Sequence, residues 1–577
     1  MKDSAKFRYG IIYFFIALCI SALMLRLLYL QVIKHSFYEI KSKKQVEKVM
    51  RIPPTRGTIY DRHNRPLALT HMAYSVNANP SEVTNNERTA TILADVLGID
   101  KEKILAKLAK ENQFAWIERK ITEEKYDILK KYDLTGIYFF KDEVRVYPNG
   151  ILASDIIGFS GIDNQGLSGL EFKYDPVLKG QEGKLLFHGD PRRNRLITSP
   201  VRTLIEPQDG QSIITTLDTV IQFFTEKYLR EGAERVNAES AQAIVMDPNT
   251  GDILAMADYP QFDPNKWTEV SIKVRKNSCI SDVFEPGSIF KIFTMAAAIE
   301  ENLVTSQTVF IVPETLTLYN KTIKEAHGRK PGESSRKTVS DILEQSLNVG
   351  TSLIATKMGK AQLHQHISAL GFGKSTGVEL PGESKGLFRH PKFWSGVDIA
   401  TVSFGQGIGI TPIQMVTATS IIANGGIHIK PRIVQYTISK NGKTLKGIPQ
   451  SSKGRIFKKS AMKQVRDMMI STVERGTGVP AQIKGFAVGG KTGTAQKAKE
   501  NGIGYESGKY IASFVGFFPD PHPKAVILVA VNSPQGYYYG SQVAAPIFKK
   551  IADEMIRYWN LDPTRPIVIP TASVLVD

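Results

Sequence analysis

Residues 282–302, DVFEPGSIFKIFTMAAAIEEN, place a serine and a lysine three positions apart at the start of an apolar helix. Lys291 is the only charge in SIFKIFTMAAAI, which is apolar on every side of a helical wheel and is therefore predicted to be buried. Burial lowers the pKa of an ammonium group, and such a lysine can take the proton from a serine hydroxyl. Ser288 is then the candidate nucleophile, and the helix N-terminus would stabilise a developing oxyanion.

Two further Ser-x-x-Lys pairs occur, so the spacing alone does not identify the nucleophile. Ser334–Lys337 lies in the polar segment ESSRKT, and Ser460–Lys463 opens the amphipathic segment SAMKQVRDMMISTVERG. Ser460 is typical of a helix N-cap, and neither lysine is forced into an apolar setting. The apolar surroundings of Lys291 favour the pair with Ser288.

A hydroxyl and a carboxamide lie two residues apart in DILEQSLNVGTSLIA, at Ser346 and Asn348. Such a pair can relay protons and hold a substrate amide. The same Ser-x-Asn form recurs at residues 75–77 and 439–441, so it is informative only together with other motifs.

A third motif follows two glycines in AVGGKTGTAQ and consists of Lys491, Thr492, Gly493 and Thr494. A cation and two hydroxyls on a glycine-flanked strand suit a substrate carboxylate, because glycines let another backbone approach closely. A phosphate-binding loop is the alternative interpretation. It requires the spacing G-x-x-x-x-G-K-[ST], which is absent here.

The elements that must position these motifs are two hairpins far apart in the chain. AIVMD (243–247) and ILAMA (253–257) flank the turn PNTG, and ASFVGFF (512–518) and KAVILVAVN (524–532) flank PDPHP. Helices are predicted near residues 219–236 and 543–559 and in the segments between the hairpins. This order predicts one sheet assembled from distant segments and covered by helices.

The N-terminal segment predicts a membrane anchor. Tyr9–Ile33 is almost wholly apolar and, as a helix, is about 37 Å long, enough to cross a bilayer core of about 30 Å. Arg26 is close enough to one end to snorkel, and bulky residues stand where a signal peptidase would need small ones. Lys6 and Arg8 precede the span and favour a cytoplasmic N-terminus. About 540 residues then follow, predicted to lie outside.

Length and composition predict a globular protein of more than one domain after the anchor. The chain has 577 residues, of which 42% are hydrophobic and 23% charged. Its net charge of +18 favours an acidic polymer or membrane surface as a partner, and an external location argues against nucleic acid. In residues 34–218 the basic patch Arg192, Arg193 and Arg195 is predicted to be a solvated loop.

The three motifs, in this order, resemble those of the penicillin-recognising active-serine enzymes, and their separations resemble those of class B penicillin-binding proteins. Further segments resemble the same family: RGTIYDRHNRPLA (56–68), RVYPNGILASDIIGF (145–159), GLSGLE (166–171), FGQGIGITPIQ (404–414) and ASFVGFFPDP (512–521). The resemblance implies four segments: a cytoplasmic N-terminus (1–8), a transmembrane anchor (9–33), an elongated mixed α+β pedestal (34–218) and a transpeptidase domain (219–577). It also implies that the transpeptidase domain has an antiparallel sheet covered by helices on both faces.

By this resemblance the chain is a D,D-transpeptidase that cross-links peptidoglycan stem peptides. Ser288 would attack the bond between two terminal D-alanines, with Lys291 as base and Ser346 as proton relay. Asn348 would bind the peptide amide of the donor. Lys491, Thr492 and Thr494 would hold the terminal carboxylate, with Gly493 between them, and the N–H groups of Ser288 and Thr494 would form the oxyanion hole. No metal or cofactor is implied.

The resemblance also implies a place and partners. The protein would be a single-pass protein of the bacterial cytoplasmic membrane with its catalytic domain outside, would bind β-lactams, and would work with a glycosyltransferase and membrane proteins of the division complex. EPGSIFK and NANPSEV (77–83) resemble the septal branch. An elongation-type transpeptidase is the alternative. A β-lactam sensor, an inactive scaffold and a β-lactamase-like hydrolase rank lower.

Overall fold

The computed structural model describes residues 2–110, 112–188, 202–319, 321–325, 332, 334–439, 441–499 and 504–566. The chain forms two compact units. One comprises Met1–Thr55 and Gly180–Gly210, and the other Arg56–Lys179 and Gln211–Asp577. The predicted solvated patch at Arg192, Arg193 and Arg195 lies outside the described residues.

The first unit carries the apolar helix. Lys2–Leu28 is α-helical and continues through a π-helical turn, Tyr29–Ile33, into a second helix, His35–Val46. Within the 28 residues Lys6–Ile33, an 18-residue window has a mean hydropathy of 2.4 and contains no buried residue. This helix is long and apolar enough for a single-pass membrane anchor. The unit also holds a three-stranded antiparallel sheet in the order Glu47–Ile52, Gly183–His188, Arg202–Ile205.

The N-terminal part of the second unit is mixed α+β, as predicted. Its helices are Asn86–Leu97, Lys101–Leu108, Glu123–Lys130, Ser154–Ile157, Gly169–Lys173 and Asp175–Leu178. One sheet has the strand order Thr444–Gly447, Val434–Ile438, Ser212–Thr215, Ile59–Tyr60, Pro66–Ala78, Ala115–Ile121, with Ile137–Val146 also paired to Pro66–Ala78. Strands from either side of residue 218 thus share a sheet, which the sequence pattern did not indicate.

Three of the pedestal motifs meet in a buried ion-pair cluster. Glu171, from GLSGLE, forms ion pairs with Arg56, of RGTIYDR, at 2.6 Å and with Arg145, of RVYPNG, also at 2.6 Å. All three residues are at most 6% exposed. Arg56 also pairs with Asp175 at 2.6 Å. Because a buried charge is tolerated only when it is paired, these contacts fix the three segments against one another.

The C-terminal part is built on a five-stranded antiparallel sheet. We number its strands β1 (Ser240–Met246), β2 (Ile253–Tyr259), β3 (Gly489–Ala498), β4 (Tyr505–Phe518) and β5 (Ala525–Asn532). Their order in the sheet is β2-β1-β5-β4-β3. The two predicted hairpins are therefore neighbours, joined by the pairing of β1 with β5. Strand β3, which carries the Lys-Thr-Gly motif, lies at the edge of the sheet.

Six long helices surround this sheet. They are α1 (Thr219–Arg235), α2 (Lys291–Glu300), α3 (Asn348–Met358), α4 (Pro412–Ala423), α5 (Lys459–Arg475) and α6 (Ala544–Tyr558). Successive strand residues point to opposite faces, so Val245 packs in one core with α1 and α6, while Ile244 packs in the other with α2 and α4. The prediction of an antiparallel sheet covered on both faces is confirmed.

Shorter elements complete this part. The helices are Ser278–Ser281, Val339–Glu344, Lys360–Ala369 and Asp398–Ser403. Three two-stranded sheets pair Val309–Val312 with Ser335–Thr338, Thr315–Leu318 with Lys321–Lys324, and Ile427–Ile429 with Ser452–Arg455.

Candidate active site

Ser288 lies in a single 3-10 turn, Gly287–Phe290, that leads directly into helix α2. Gly287 has a φ of 56°, and its N–H donates to the carbonyl of Gly405 at 3.0 Å. This positive φ favours glycine and turns the chain sharply before the serine. Ser288 is half-buried, and its hydroxyl makes no hydrogen bond to any residue that the structure describes. The hydroxyl is available to a substrate.

Lys291 is fully buried, as its apolar surroundings predicted. Its Nζ donates to the Ser346 carbonyl at 2.6 Å, to Asn348 Oδ1 at 2.8 Å and to Ser346 Oγ at 3.3 Å. Burial lowers the pKa of Lys291 to about 7, and the negative charge of Glu325 partly opposes this shift. A substantial fraction of Lys291 is therefore neutral at physiological pH and able to accept a proton.

Ser346 lies in the loop between the helix Val339–Glu344 and α3, with a φ of 59°. A serine in this left-handed region costs about 1–3 kcal/mol, a strain that is characteristic of functional sites. The conformation places its Oγ within reach of two ammonium groups, at 3.3 Å from Lys291 Nζ and 2.9 Å from Lys491 Nζ. Ser346 thus connects the first motif to the third.

Lys491, on the edge strand β3, is also fully buried. Besides Ser346, its Nζ donates to the Thr492 carbonyl at 3.0 Å. Burial lowers the pKa of Lys491 well below its ordinary value, and the positive charge of Lys291 lowers it further. Neither lysine has a carboxylate within ion-pair distance in the described part of the chain. A carboxylate ligand would therefore stabilise the protonated form of Lys491.

The remaining residues of this motif line the approach to Ser288. Thr492 Oγ1 donates to Thr477 Oγ1 at 2.8 Å, and Thr494 Oγ1 accepts from the Gly540 N–H at 3.2 Å. Gly493 has no room for a side chain, because a Cβ there would lie 2.5 Å from Ser513 Oγ and 3.1 Å from the Pro286 carbonyl. This glycine lets β3 pass directly against the turn that carries Ser288.

Two cavities meet at these residues. One, of about 110 Å³, is lined by Ser288, Ser346, Thr492 and Thr494 among others. The other, of about 300 Å³, is lined by Ser288, Thr494 and Asn348. Six of the eight residues predicted from the three motifs therefore line the cavities at Ser288, and the other two, Lys291 and Lys491, reach them through Ser346.

Sequence reasoning missed a residue that orients Asn348. Glu325 accepts hydrogen bonds from the N–H groups of Asn348 at 2.5 Å and Val349 at 3.1 Å, and so caps the first turn of α3. Asn348 in turn donates from Nδ2 to the Lys324 carbonyl at 3.1 Å. No local pattern marks Glu325, since it lies 23 residues before the helix that it caps. Sequence reasoning also missed Thr477 and Gly540, which contact Thr492 and Thr494 and belong to none of the three motifs.

The two competing Ser-x-x-Lys pairs are placed elsewhere. Ser460 and Lys463 lie on the exposed face of α5, where Lys463 pairs with Asp467 at 2.8 Å. Ser334 is exposed, and Lys337 lies in the short strand Ser335–Thr338. Neither lysine lines the cavities at Ser288.

Comparisons with known proteins agree with this architecture. Residues 241–553 match the penicillin binding protein transpeptidase domain, and residues 51–215 match the penicillin-binding protein dimerisation domain. The chain is 34% identical to stage V sporulation protein D of Bacillus subtilis, over 94% of this chain and 84% of the relative. It is 31% identical to the peptidoglycan D,D-transpeptidase FtsI of Escherichia coli K12, over 97% and 93% of the two chains.

Solved structures give the same result. A peptidoglycan synthetase from Bifidobacterium adolescentis superposes with a TM-score of 0.73 at 27% identity, over 90% of this chain and 98% of the other. Penicillin binding protein 3 from Mycobacterium tuberculosis, complexed with ampicillin, superposes with a TM-score of 0.70 at 26% identity, over 91% and 98%. The transpeptidase match covers more than half of the chain, which therefore belongs to the penicillin-binding protein family, with a dimerisation domain preceding a transpeptidase domain.

Proposed function

We infer that this chain is a peptidoglycan D,D-transpeptidase that works through a serine acyl-enzyme and is acylated by β-lactams. The residue roles are inferred from two buried lysines that both contact Ser346 Oγ, near a Ser288 hydroxyl that makes no hydrogen bond within the described chain. Such an arrangement supplies a nucleophile, a base and a relay without histidine.

In the first step Ser288 Oγ attacks the carbonyl carbon between the two terminal D-alanines of a donor stem peptide. Its proton passes to neutral Lys291. From Lys291 the proton moves through Ser346 Oγ to the nitrogen of the leaving D-alanine, and the C–N bond breaks. The contacts of Ser346 with Lys291 support this relay, because proton transfer needs a continuous hydrogen-bonded path.

Binding of the donor uses strand β3 and Asn348. An edge strand presents unpaired backbone groups, to which an extended peptide can add. The terminal carboxylate would lie against Lys491, Thr492 and Thr494, and the N–H groups of Ser288 and Thr494 would hold the oxyanion. Asn348, held between Lys291 and Lys324, would bind the amide of the donor.

In the second step an amine of a neighbouring stem peptide attacks the acyl carbon. The amine loses a proton to the relay, Ser288 Oγ leaves as the alcohol, and a new peptide bond joins the strands. A β-lactam follows only the first step, because the amine released on ring opening stays attached to the acyl group and blocks the site.

Location, boundaries and partners complete the proposal. The apolar helix would anchor the chain in the cytoplasmic membrane with the catalytic domain outside, a pedestal at 34–218 and the transpeptidase domain at 219–577. EPGSIFK and NANPSEV support a role in septal wall synthesis. A glycosyltransferase that polymerises glycan strands and membrane proteins of the division complex would be the partners.

A fluorescent penicillin and intact-mass analysis of the full chain in detergent test the assignment. A single stable adduct is expected in the wild type and in Ser460→Ala, and none in Ser288→Ala. Labelling that persists in Ser288→Ala would refute the nucleophile, and rapid loss of the adduct would instead indicate a hydrolase. Cross-linking of lipid-linked precursor strands tests the transfer step itself.

A further inference from the structure

A second, strongly cationic cavity lies in the C-terminal part. It has a volume of about 140 Å³, and Lys374, Lys430 and Lys453 line it together with Thr376 and Ser451. The three lysines come from different segments, so tertiary folding alone brings them together. None of them forms an ion pair with any residue that the structure describes.

Two carboxylates of this region already bind backbone groups. Glu383 accepts hydrogen bonds from the N–H and hydroxyl of Thr376, both at 2.6 Å. Glu379 accepts from the Ile433 N–H at 2.8 Å, and its charge partly offsets that of Lys430. Neither carboxylate acts on Lys453: burial lowers the pKa of Lys453, and the neighbouring Lys374 ammonium lowers it further. The cavity therefore carries a positive charge that an anion would neutralise.

His428 holds one of these lysines at the wall of the cavity. It lines the cavity and is only 6% exposed. Its Nε2 lies 3.3 Å from Lys453 Nζ and, since an ammonium can only donate, Nε2 accepts. The buried imidazole thereby fixes the position of the Lys453 ammonium.

We propose that this cavity binds a phosphate group. Three ammonium groups exceed the charge of one carboxylate and suit a phosphate dianion. The hydroxyl of Ser451, which also lines the cavity, adds a neutral donor. The volume admits one phosphate group, as the free ion or as the end of a small ester.

The site stands apart from the transpeptidase chemistry. It shares no lining residue with either cavity at Ser288. Phosphate binding and penicillin acylation can therefore be measured separately on the same variant. A failure of one does not entail a failure of the other.

Calorimetric titration of the full chain in nonionic detergent with sodium phosphate, at low and constant ionic strength, tests the proposal. Saturable binding at one site per chain is expected. The double variant Lys374→Ala/Lys453→Ala should bind at least about tenfold more weakly. The control Lys463→Ala/Lys549→Ala removes the same charge from exposed helix positions and should bind within about twofold of the wild type.

Two further measurements remove ambiguity. His428→Phe preserves a ring but loses the Nε2 acceptor that holds Lys453, and should weaken binding several-fold while penicillin acylation stays unchanged. Glycerol 1-phosphate replaces phosphate in a parallel titration: binding with the same sensitivity assigns an ester, and its exclusion assigns the free ion. No saturable phosphate binding by the wild type, or equal weakening in the control pair, would overturn the proposal.

Discussion

Replacing Glu325 with glutamine should move the pH dependence of acylation. Glu325 caps α3 through the N–H groups of Asn348 and Val349, and Asn348 Oδ1 in turn accepts from Lys291 Nζ. The Glu325 charge favours the protonated form of Lys291 and raises its pKa, against the larger lowering by burial. Glutamine keeps an acceptor for the helix but removes the charge. The pKa of Lys291 should therefore fall below its present value of about 7.

The magnitude follows from the arrangement. The Asn348 side chain separates the fully buried Lys291 from the half-buried Glu325, and an attraction of about 1.4 kcal/mol between the two charges corresponds to about one pKa unit. In the wild type, the acylation rate should fall about tenfold per pH unit below pH 7, because only neutral Lys291 accepts the Ser288 proton. In Glu325→Gln this fall of the rate at low pH, the acid limb of the profile, should begin about one pH unit lower.

The assay is stopped-flow acylation by a chromogenic β-lactam between pH 5 and 9 (a range of about four units around the Lys291 pKa). Each profile is normalised to its own plateau, so that a loss of positioning does not disguise the shift. Loss of the charged cap should also destabilise the protein by about 1 kcal/mol. Glu314→Gln is the matched control, because Glu314 likewise accepts a backbone N–H, from Gly332 at 2.7 Å, without acting on Lys291.

An acid limb in Glu325→Gln that stays in place or moves to higher pH would refute this reasoning. Equal shifts in Glu314→Gln would show that any carboxylate of this region has the same effect. A lower melting temperature alone would not support it, since a purely structural cap predicts the same loss.

Three other substitutions test separate parts of the structure. Ser346→Ala removes the hydroxyl between the two ammonium groups and should slow acylation by about 10²–10⁴, measured by the same stopped-flow assay, with retained rates contradicting the relay. Gly493→Ala places a Cβ 2.5 Å from Ser513 Oγ, so acylation should slow about tenfold or more; unchanged acylation would show that β3 can move away from the serine turn. Glu171→Gln leaves the buried Arg145 without a carboxylate and Arg56 with Asp175 alone, and should cost about 3–5 kcal/mol in denaturant unfolding, whereas a loss below about 1 kcal/mol would contradict a structural ion-pair cluster.

Much of the site could be predicted from short segments. Lys291 is recognisable because a single charge in an apolar helix must be buried, and Lys491 because glycines flank it on a strand. The segments around β1, β4 and β5 carry the apolar runs of buried strands, and the helix boundaries near 219–236 and 543–559 agree with α1 and α6. These properties reside in contiguous residues, where side-chain polarity and spacing act directly on local structure.

Other features depend on residues far apart in the chain. The capping of α3 by Glu325, the cluster of Arg56, Arg145 and Glu171, and the sheet that joins strands on both sides of residue 218 have no local signature. Hydrogen bonds and ion pairs of this kind act over a few ångströms in space and are indifferent to sequence separation, so no periodicity records them.

The sequence by itself determined which residues could form a nucleophile, a base and a carboxylate site, because those capacities belong to side-chain type and immediate setting. Tertiary structure alone decided that both lysines converge on Ser346, since that contact requires α2, the loop before α3 and β3 to meet. It also decided that Lys374, Lys430 and Lys453 enclose one cavity. Electrostatic coupling depends on distance and burial, which only the folded chain sets.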